Sequence, residues 1–276
     1  MTGTPPSFAD RPPAADVLAD MLRAVRLTGA IFLKARFTEP FGVLSPQRYD
    51  AAIPMAHLRH VSIFHYVASG GCMIETAGGT RRELTAGDLV LLPFASEHKV
   101  WRGASPKMVP ASEIVTRDTQ EGVWSFTHGG GGVETRFVCG FIESAEMMFA
   151  PMFRSLPEVL VDRADDEAVG SGIANTIGDL LARVDALTPG AEVILGRMME
   201  LLFVEMLRRH AGRLPAGSKG LLAALNDPLV GRALQLLQAD PTRRWTTDDL
   251  AREVGSSRTV LGERFTPCSA SRPSSI

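Results

Sequence analysis

The sequence is poor in cysteine, has no long apolar run and carries no excess of either charge. Three cysteines in 276 residues are too few, and odd in number, for a disulfide framework, which favours a reducing compartment. The 29 basic and 31 acidic side chains leave a net charge of -2, so the chain as a whole is not a basic nucleic-acid binder. A local basic patch is still compatible with this charge.

Nothing in the sequence indicates a membrane segment. No stretch approaches the roughly 20 uncharged apolar residues that a membrane-spanning helix needs. The N-terminal sequence MTGTPPSFADRPPAAD lacks the basic region and the apolar core of a secretory signal. We therefore expect a cytoplasmic protein that does not bind membranes.

The length and the 45% hydrophobic content predict a globular protein of about two domains. Residues 1–14 are rich in proline, and we expect them to be disordered. From Gly29 to about Gly140, short apolar runs alternate with Gly, Pro, Asp and Ser, a pattern typical of an all-β sandwich or barrel. Residues 29–140 are therefore predicted to form a β domain.

Residues 157–213 are predicted to form a helical linker. Helical spacing covers residues 164–187 and 191–211, and a Thr-Pro-Gly sequence separates the two segments. The second helix is apolar around most of its circumference, so it is either fully buried or half-buried against a partner chain. We expect a homodimer formed through this helix, with Met199 and Phe203 at the interface.

The C-terminal region has the spacing of a helix-turn-helix unit. Residues 229–239 show an amphipathic helix pattern, and Thr246 with Asp249 forms a capping-box-like start of a second helix. Gly255 supplies a turn, after which Ser256 and Ser257 start a third helix with three apolar residues, Val260, Leu261 and Phe265. Two helices joined by a tight turn at glycine, with this apolar spacing, predict a helix-turn-helix.

In that geometry the third helix presents its outward-facing N-terminal residues to base edges in the major groove. The predicted base contacts are Ser257, Arg258, Thr259 and Gly262. The predicted phosphate contacts are Arg243, Arg244 and Arg252. Any small helical hairpin gives a similar pattern, and residues 228–276 hold seven Arg against five acidic residues, which is only mildly basic for a DNA-binding domain.

Three stretches of this region, 227–234, 245–258 and 263–265, resemble the AraC/XylS family of bacterial transcriptional regulators. The upstream sequence is similar to the cupin-type sensor domain that is common in that family. This second resemblance rests on four stretches: Phe64–Val67, Gly87–Pro93 with His98, the glycine run 129–132, and Val138–Phe141.

The resemblance implies a ligand-responsive, sequence-specific regulator of transcription with an α+β fold. It implies a cupin-like β-barrel sensor at residues 15–156, a helical linker at 157–213 and an all-α helix-turn-helix unit at 225–276. The implied partners are double-stranded DNA and a small-molecule effector. The family has two helix-turn-helix units, whereas the match stops after Phe265, so we expect a truncated DNA-binding domain with impaired DNA binding.

Four side chains of the β domain are candidates for a structural zinc site: His65, Cys72, His98 and Cys139. His65 and Cys72 flank Ser69-Gly70-Gly71, which predicts a hairpin that places both on adjacent strands. His98 lies where the second cupin motif usually supplies a metal ligand. Two Cys and two His suit tetrahedral zinc. The alternative is that the thiols are small buried apolar groups and the imidazoles are hydrogen-bonded core groups.

The alternative function is a cupin-type small-molecule-binding protein or a metal-dependent cupin enzyme. Such enzymes carry a His-x-His motif followed closely by Glu, whereas this chain has His57-Leu58-Arg59-His60, with a different spacing and no following carboxylate. We therefore expect no enzymatic activity. DNA binding distinguishes the two classes of protein.

Overall fold

The structure, a computed structural model, describes residues 26–45, 60–114, 124–144, 153, 155–163, 191–215, 218, 221–224, 227–240 and 242–269. The N-terminal segment 1–14 and the predicted helix at 164–187 lie outside these residues. Within them the chain is mixed α+β and is dominated by strands.

Eleven strands occur in the described part of the chain: β1 (Thr28–Thr38), β2 (Phe41–Ser45), β3 (Val61–Ser69), β4 (Gly71–Thr76), β5 (Arg81–Thr85), β6 (Asp88–Leu92), β7 (His98–Arg102), β8 (Val109–Pro110), β9 (Trp124–Gly129), β10 (Glu134–Glu143) and β11 (Leu160–Arg163). The helices described are α1 (Ala111–Ile114), α2 (Ala191–Arg213), α3 (Leu221–Ala224), α4 (Pro228–Ala239), α5 (Thr247–Glu253) and α6 (Arg258–Ser269).

The strands form two sheets that enclose one apolar core. The first sheet has the order β11-β6-β3-β10-β1-β9, and the second has the order β5-β4-β7-β2-β8. Neighbouring strands are antiparallel except for the pairs β1–β9 and β2–β8. Side chains from both sheets pack into one buried cluster, as in a β-sandwich. The predicted β domain is therefore present as a cupin-like two-sheet sandwich.

The predicted hairpin at Ser69-Gly70-Gly71 is wrong. Strand β3 belongs to the first sheet and β4 to the second, so Gly70 marks a corner between the sheets. Its φ is +76°, and a Cβ added there would lie 2.3 Å from the carbonyl oxygen of Glu134. The chain can turn here because glycine tolerates this conformation and this close backbone approach.

Helix α2 packs closely against the first sheet. A Cβ added to Gly196 would lie 2.4 Å from the carbonyl oxygen of Gly29, at the start of β1. One turn further along α2, Met199 lies against Gly140 of β10. A Cβ added to Gly140 would lie 2.8 Å from the Met199 Cε atom. The small residues thus allow the helix backbone to approach the strands.

The two residues expected at a dimer interface are buried inside the chain instead. Met199 is 1% exposed and Phe203 is 0% exposed. The apolar residues that α2 leaves exposed are Val193, Ile194 and Leu201. The apolar circumference of the helix therefore divides into a face that packs internally and a smaller face in contact with solvent.

The contacts divide the chain into two compact units. One consists of Leu27–Ala145 and Leu156–Met206, and the other of Met1–Arg26, Glu146–Ser155 and Leu207–Ile276. None of the described helices is both long enough and apolar enough to cross a membrane.

The three C-terminal helices pack around a small core formed by Ala233, Leu250, Ala251 and Leu261. The predicted capping box is confirmed, since the Thr246 hydroxyl accepts from the Asp249 N–H and the Asp249 carboxylate accepts from the Thr246 N–H. Gly255 has φ +70° in the turn between α5 and α6. The resemblance to the AraC/XylS family stops after Phe265, whereas α6 continues to Ser269.

We expect Gly196→Ala to lower the free energy of unfolding by about 1–3 kcal/mol, because the added methyl group must push α2 away from the Gly29 carbonyl. Gly212→Ala in the same helix is the control, since nothing lies within 4 Å of an added Cβ there. That change should raise stability by up to about 1 kcal/mol through helix propensity. Urea unfolding measures both, and equal effects would contradict the close packing of α2.

Candidate functional site

The interior of the sandwich contains a cavity of about 50 Å³, part of which is open to solvent. This is more space than a single water molecule needs. Most of the described lining residues are apolar: Leu33, Ala35, Phe37, Val43, Val100, Ala111, Trp124, Phe126 and Phe137. The other four are Ser45, His65, His98 and Cys139.

Aromatic rings form one wall of the cavity. The ring centroid of Phe37 is 5.3 Å from that of Phe126 and 5.6 Å from that of Phe137, both in edge-to-face geometry. On its other side Phe37 stacks on Phe41 with centroids 4.7 Å apart. Such contacts between rings hold the wall in a defined shape.

The sequence alone does not single out these apolar walls. The alternation of Leu33, Ala35 and Phe37 along β1 is the signal that indicates one inward face. It does not show that the opposite sheet leaves space in front of this face, because the position of that sheet depends on corners such as Gly70.

The polar lining residues form a chain of hydrogen bonds across the sandwich. His65 of β3 is the register partner of Cys139 of β10, and its Nδ1 lies 2.9 Å from the Cys139 Sγ. Its Nε2 lies 3.1 Å from the Nε2 of His98, which belongs to β7 in the other sheet. The Nδ1 of His98 lies 2.9 Å from the carbonyl oxygen of Ser96.

The hydrogen-bonded chain from Cys139 to Ser96 has one consistent arrangement of protons. The Ser96 carbonyl can only accept, so the Nδ1 of His98 donates to it. In a neutral ring the Nε2 of His98 is then an acceptor, and the Nε2 of His65 must donate to it. The Nδ1 of His65 is therefore free of a proton and accepts from the thiol of Cys139.

Burial keeps the two imidazoles and the thiol of this hydrogen-bonded chain uncharged near neutral pH. Desolvation lowers the pKa of His65 well below 6.5, and the neighbouring His98 lowers it further. Desolvation also lowers the pKa of His98 to about 4, although its hydrogen bond to Ser96 acts in the opposite direction. Burial raises the pKa of the Cys139 thiol, so neither a thiolate nor an imidazolium is expected here.

The structure brings together three of the four predicted zinc ligands and separates Cys72 from them. Cys72 lies on β4 in the second sheet. The residue of β4 that is paired with His98 is Thr76. Cys72 lies four positions before Thr76 along β4, a distance of about 13 Å. Cys72 is a buried core residue, and desolvation raises the pKa of its thiol to about 12.

These residues do not fit a zinc site as they are arranged. Both ring nitrogens of His65 and of His98 already have hydrogen-bond partners. Among the described residues, no group of three or more His, Cys, Asp or Glu side chains is placed to hold a metal ion. The alternative interpretation from the sequence, hydrogen-bonded histidines and buried thiols, describes what the structure contains.

The residues predicted to contact DNA lie on or near the last two helices. Ser257, Arg258 and Thr259 are exposed at the start of α6, and Gly262 follows one turn later. The Ser257 hydroxyl accepts from the Val260 N–H, so it caps α6 as predicted.

The predicted basic residues are exposed and three of them have close partners. The Arg258 guanidinium lies 3.5 Å from the carboxylate of Asp248, and that of Arg252 lies 3.7 Å from Asp249. The guanidinium of Arg243 stacks over the Trp245 ring, 3.8 Å from its centroid. Arg244 is exposed beside them.

Comparison with known proteins identifies the family of the N-terminal part. Residues 16–212 match the cupin family Cupin_6, and the match covers more than half of the chain. The chain belongs to the Cupin_6 family. This agrees with the resemblance to a cupin sensor domain that was inferred from the sequence.

Two curated relatives of this Cupin_6 protein are transcriptional regulators. The HTH-type transcriptional regulator AlkR of Acinetobacter baylyi is 26% identical over 212 residues, which is 74% of this chain and 67% of AlkR. An HTH-type transcriptional regulator of Haemophilus influenzae is 23% identical over 246 residues, 88% of this chain and 75% of that protein. These relatives support the predicted resemblance to AraC-type regulators.

Solved structures are more distant. ToxT of Vibrio cholerae bound to an unsaturated fatty acid matches with a TM-score of 0.35 and 11% identity, over 88% of this chain and 73% of ToxT. The AraC-like transcriptional activator CuxR matches with a TM-score of 0.30 and 13% identity, over 77% of this chain and 63% of CuxR. Structural similarity this low gives no information about the cavity of this Cupin_6 protein.

We expect the buried histidines to make stability depend on pH. The pKa of His98 is about 4 in the folded chain and 6.5 ordinarily, so the unfolded chain binds more protons between these pH values. The free energy of unfolding should therefore fall by about 3 kcal/mol for His98 alone as the pH is lowered from 6.5 to 4. Urea unfolding at several pH values measures this loss.

The double variant His65→Phe with His98→Leu should lose most of this pH dependence and stay folded at pH 7, since both hydrogen-bonding partners are removed together. His128→Gln, which removes a histidine outside the cavity, should retain it. A wild-type protein whose stability does not change between pH 6.5 and 4.5 would contradict the buried neutral pair.

Proposed function

We propose that this protein is a ligand-responsive, sequence-specific DNA-binding regulator of transcription of the AraC/XylS type. The observation that carries the proposal is the arrangement of α5, the Gly255 turn and α6, in a chain whose cupin sandwich holds a largely apolar cavity. The regulator names of both curated relatives support it. The proposal gives no residue a catalytic role.

In this proposal α6 is the recognition helix. Arg258 is exposed at its first turn, where a guanidinium can donate two hydrogen bonds to one guanine. Its ion pair with Asp248 has to open when DNA binds. Because both side chains are exposed, the pair contributes little stability, and opening it costs little.

The other three arginines would bind the phosphate backbone. Arg243 is held against the Trp245 ring, and the Trp245 indole N–H donates to the Asp240 carbonyl over 3.0 Å. This fixes the direction of the Arg243 guanidinium before DNA binds. Arg244 and Arg252 are exposed and add positive charge, which contributes to affinity without reading sequence.

The effector would act through the strands that separate the cavity from α2. Cys139 lines the cavity, while its neighbour Gly140 lies against Met199 of the helix. The Gly29 N–H also donates to the Glu200 carboxylate over 3.4 Å. A ligand that displaces the cavity wall can therefore shift α2 from one position to a second position. A ligand with unequal affinity for the protein in these two states would couple its own binding to the affinity of the protein for DNA.

We also propose a homodimer, with the exposed apolar face of α2 as its contact surface. Val193 and Leu201 are each 64% exposed and lie about two helical turns apart, and Ile194 lies beside Val193. A cluster of large apolar side chains on one exposed helix face is typical of an interaction site. A second copy of the chain is the occupant that we propose.

We expect Arg258→Ala to weaken binding to a specific site by about 1–3 kcal/mol while leaving binding to random DNA nearly unchanged. Arg243→Ala should weaken binding to both kinds of DNA alike and reduce the dependence of affinity on salt. Fluorescence anisotropy with selected and random duplexes, at several salt concentrations, measures both effects.

The control for these two variants is Arg136→Ala, which removes an exposed arginine from the sandwich. It should change neither affinity. The assignment fails if Arg258→Ala and Arg243→Ala have the same effect on selected and random DNA.

We expect Val193→Glu combined with Leu201→Glu to give a folded monomer, since both side chains are exposed in the single chain and the added charges repel a second copy. The matched control is Phe94→Glu combined with Val133→Glu, two exposed apolar residues of the sandwich. The control should remain dimeric in sedimentation equilibrium. A wild-type chain that sediments as a monomer at high concentration would refute the dimer.

A further inference from the structure

The walls of the cavity carry no charged side chain. None of the lining residues that the structure describes is Lys, Arg, Asp or Glu. The polar groups of the lining are one hydroxyl, one thiol and two imidazoles, apart from the indole N–H of Trp124. A charged ligand would therefore meet no opposite charge to replace the water that it loses on entry.

The two imidazoles do not supply the missing charge. Both belong to the hydrogen-bonded chain from Cys139 to Ser96, in which every ring nitrogen has a partner. To pair with a carboxylate, His65 or His98 would have to gain a proton and leave this chain. Desolvation opposes that proton in both rings, whose pKa values lie below the ordinary value.

The rest of the wall favours contact with apolar surface. Phe37, Phe126 and Phe137 present ring faces and edges, and aliphatic side chains of both sheets complete the lining. Burial of a ligand's apolar surface against such a wall gains free energy in proportion to the area removed from water. A ligand needs few hydrogen bonds here because the two imidazoles and the thiol of the wall already have hydrogen-bond partners.

We infer that the effector is an uncharged, largely apolar molecule, and that the cavity disfavours carboxylate and ammonium ligands because no described lining residue offers an opposite charge. This inference rests on the proposed function, because it names the chemical class of the proposed effector. It concerns ligand binding alone and makes no use of the DNA-binding helices.

The test compares two probes of nearly the same shape, naphthalene and 2-naphthoate, by calorimetric titration of the full chain at pH 7.5. Naphthalene is uncharged, and 2-naphthoate adds one ionised carboxylate to the same ring system. We expect naphthalene to bind at least about a hundredfold more tightly. Comparable affinity for both probes would overturn the inference, and so would a folded protein that binds neither.

A variant that introduces a charge should reverse this preference. Ser45 lines the cavity at the end of β2 and is only half-buried, so Ser45→Lys can place an ammonium group at the cavity without burying it fully. This variant should gain binding of 2-naphthoate. The control Ser125→Lys adds the same charge at an exposed position of β9 and should bind the probes as the wild type does.

A third variant tests that the probe binds in this cavity. Ala35→Phe fills space between the sheets and should reduce naphthalene affinity about tenfold or more, with the fold checked by circular dichroism. Unchanged affinity in a folded Ala35→Phe protein would place the probe elsewhere and overturn the inference. DNA affinity measured with and without bound naphthalene tests the regulatory function separately. The result of that measurement does not alter the comparison of naphthalene with 2-naphthoate.

Discussion

The hydrogen bond between His65 and His98 joins the two sheets across an otherwise apolar core. It has to be made, because an imidazole buried without a partner costs free energy that packing alone does not return. Its geometry also fixes the protons along the chain from Cys139 to Ser96. The neutrality of the cavity follows from this one contact and from the desolvation of both rings.

The same contact relates the fold to the proposed function. It joins β3 to β7 beside the cavity, which lies between the aromatic wall of the first sheet and the aliphatic residues of the second. The first sheet then has two roles at once, since its inner face lines the cavity and its outer face contacts α2 through Gly29 and Gly140. A ligand in the cavity is therefore separated from the helix by a single layer of strands.

The C-terminal helices depend on a different kind of interaction. Their positions are set by local hydrogen bonds, namely the Thr246–Asp249 capping box, the Ser257 cap and the Asp227 carboxylate that accepts from the N–H groups of Leu229 and Val230. A few buried residues, among them Ala251 and Leu261, complete the core. The exposed arginines are not part of this core, so packing of the core does not determine the positions of their guanidinium groups. These groups can therefore turn toward a charged partner.

The sequence by itself determined the features that depend on neighbouring residues. The capping box, the glycine turn at Gly255, the helix predicted at 191–211 and the strands β3, β4 and β6 all follow from local spacing, because caps and amphipathic patterns involve residues a few positions apart. The sequence also brought His65, His98 and Cys139 into one hypothesis, that of a zinc site, and the structure places these three side chains in contact.

Only the tertiary structure decided how distant segments meet. Ser69-Gly70-Gly71 has the composition of a hairpin turn, yet the chain changes sheets there, because pairing of β3 with β10 and β6 leaves no free edge for β4. That corner separates Cys72 from His65 and His98, which form a hydrogen-bonded chain with Cys139. The buried and exposed faces of α2 were likewise decided by packing, since its sequence is apolar on nearly every side and local spacing cannot choose between them.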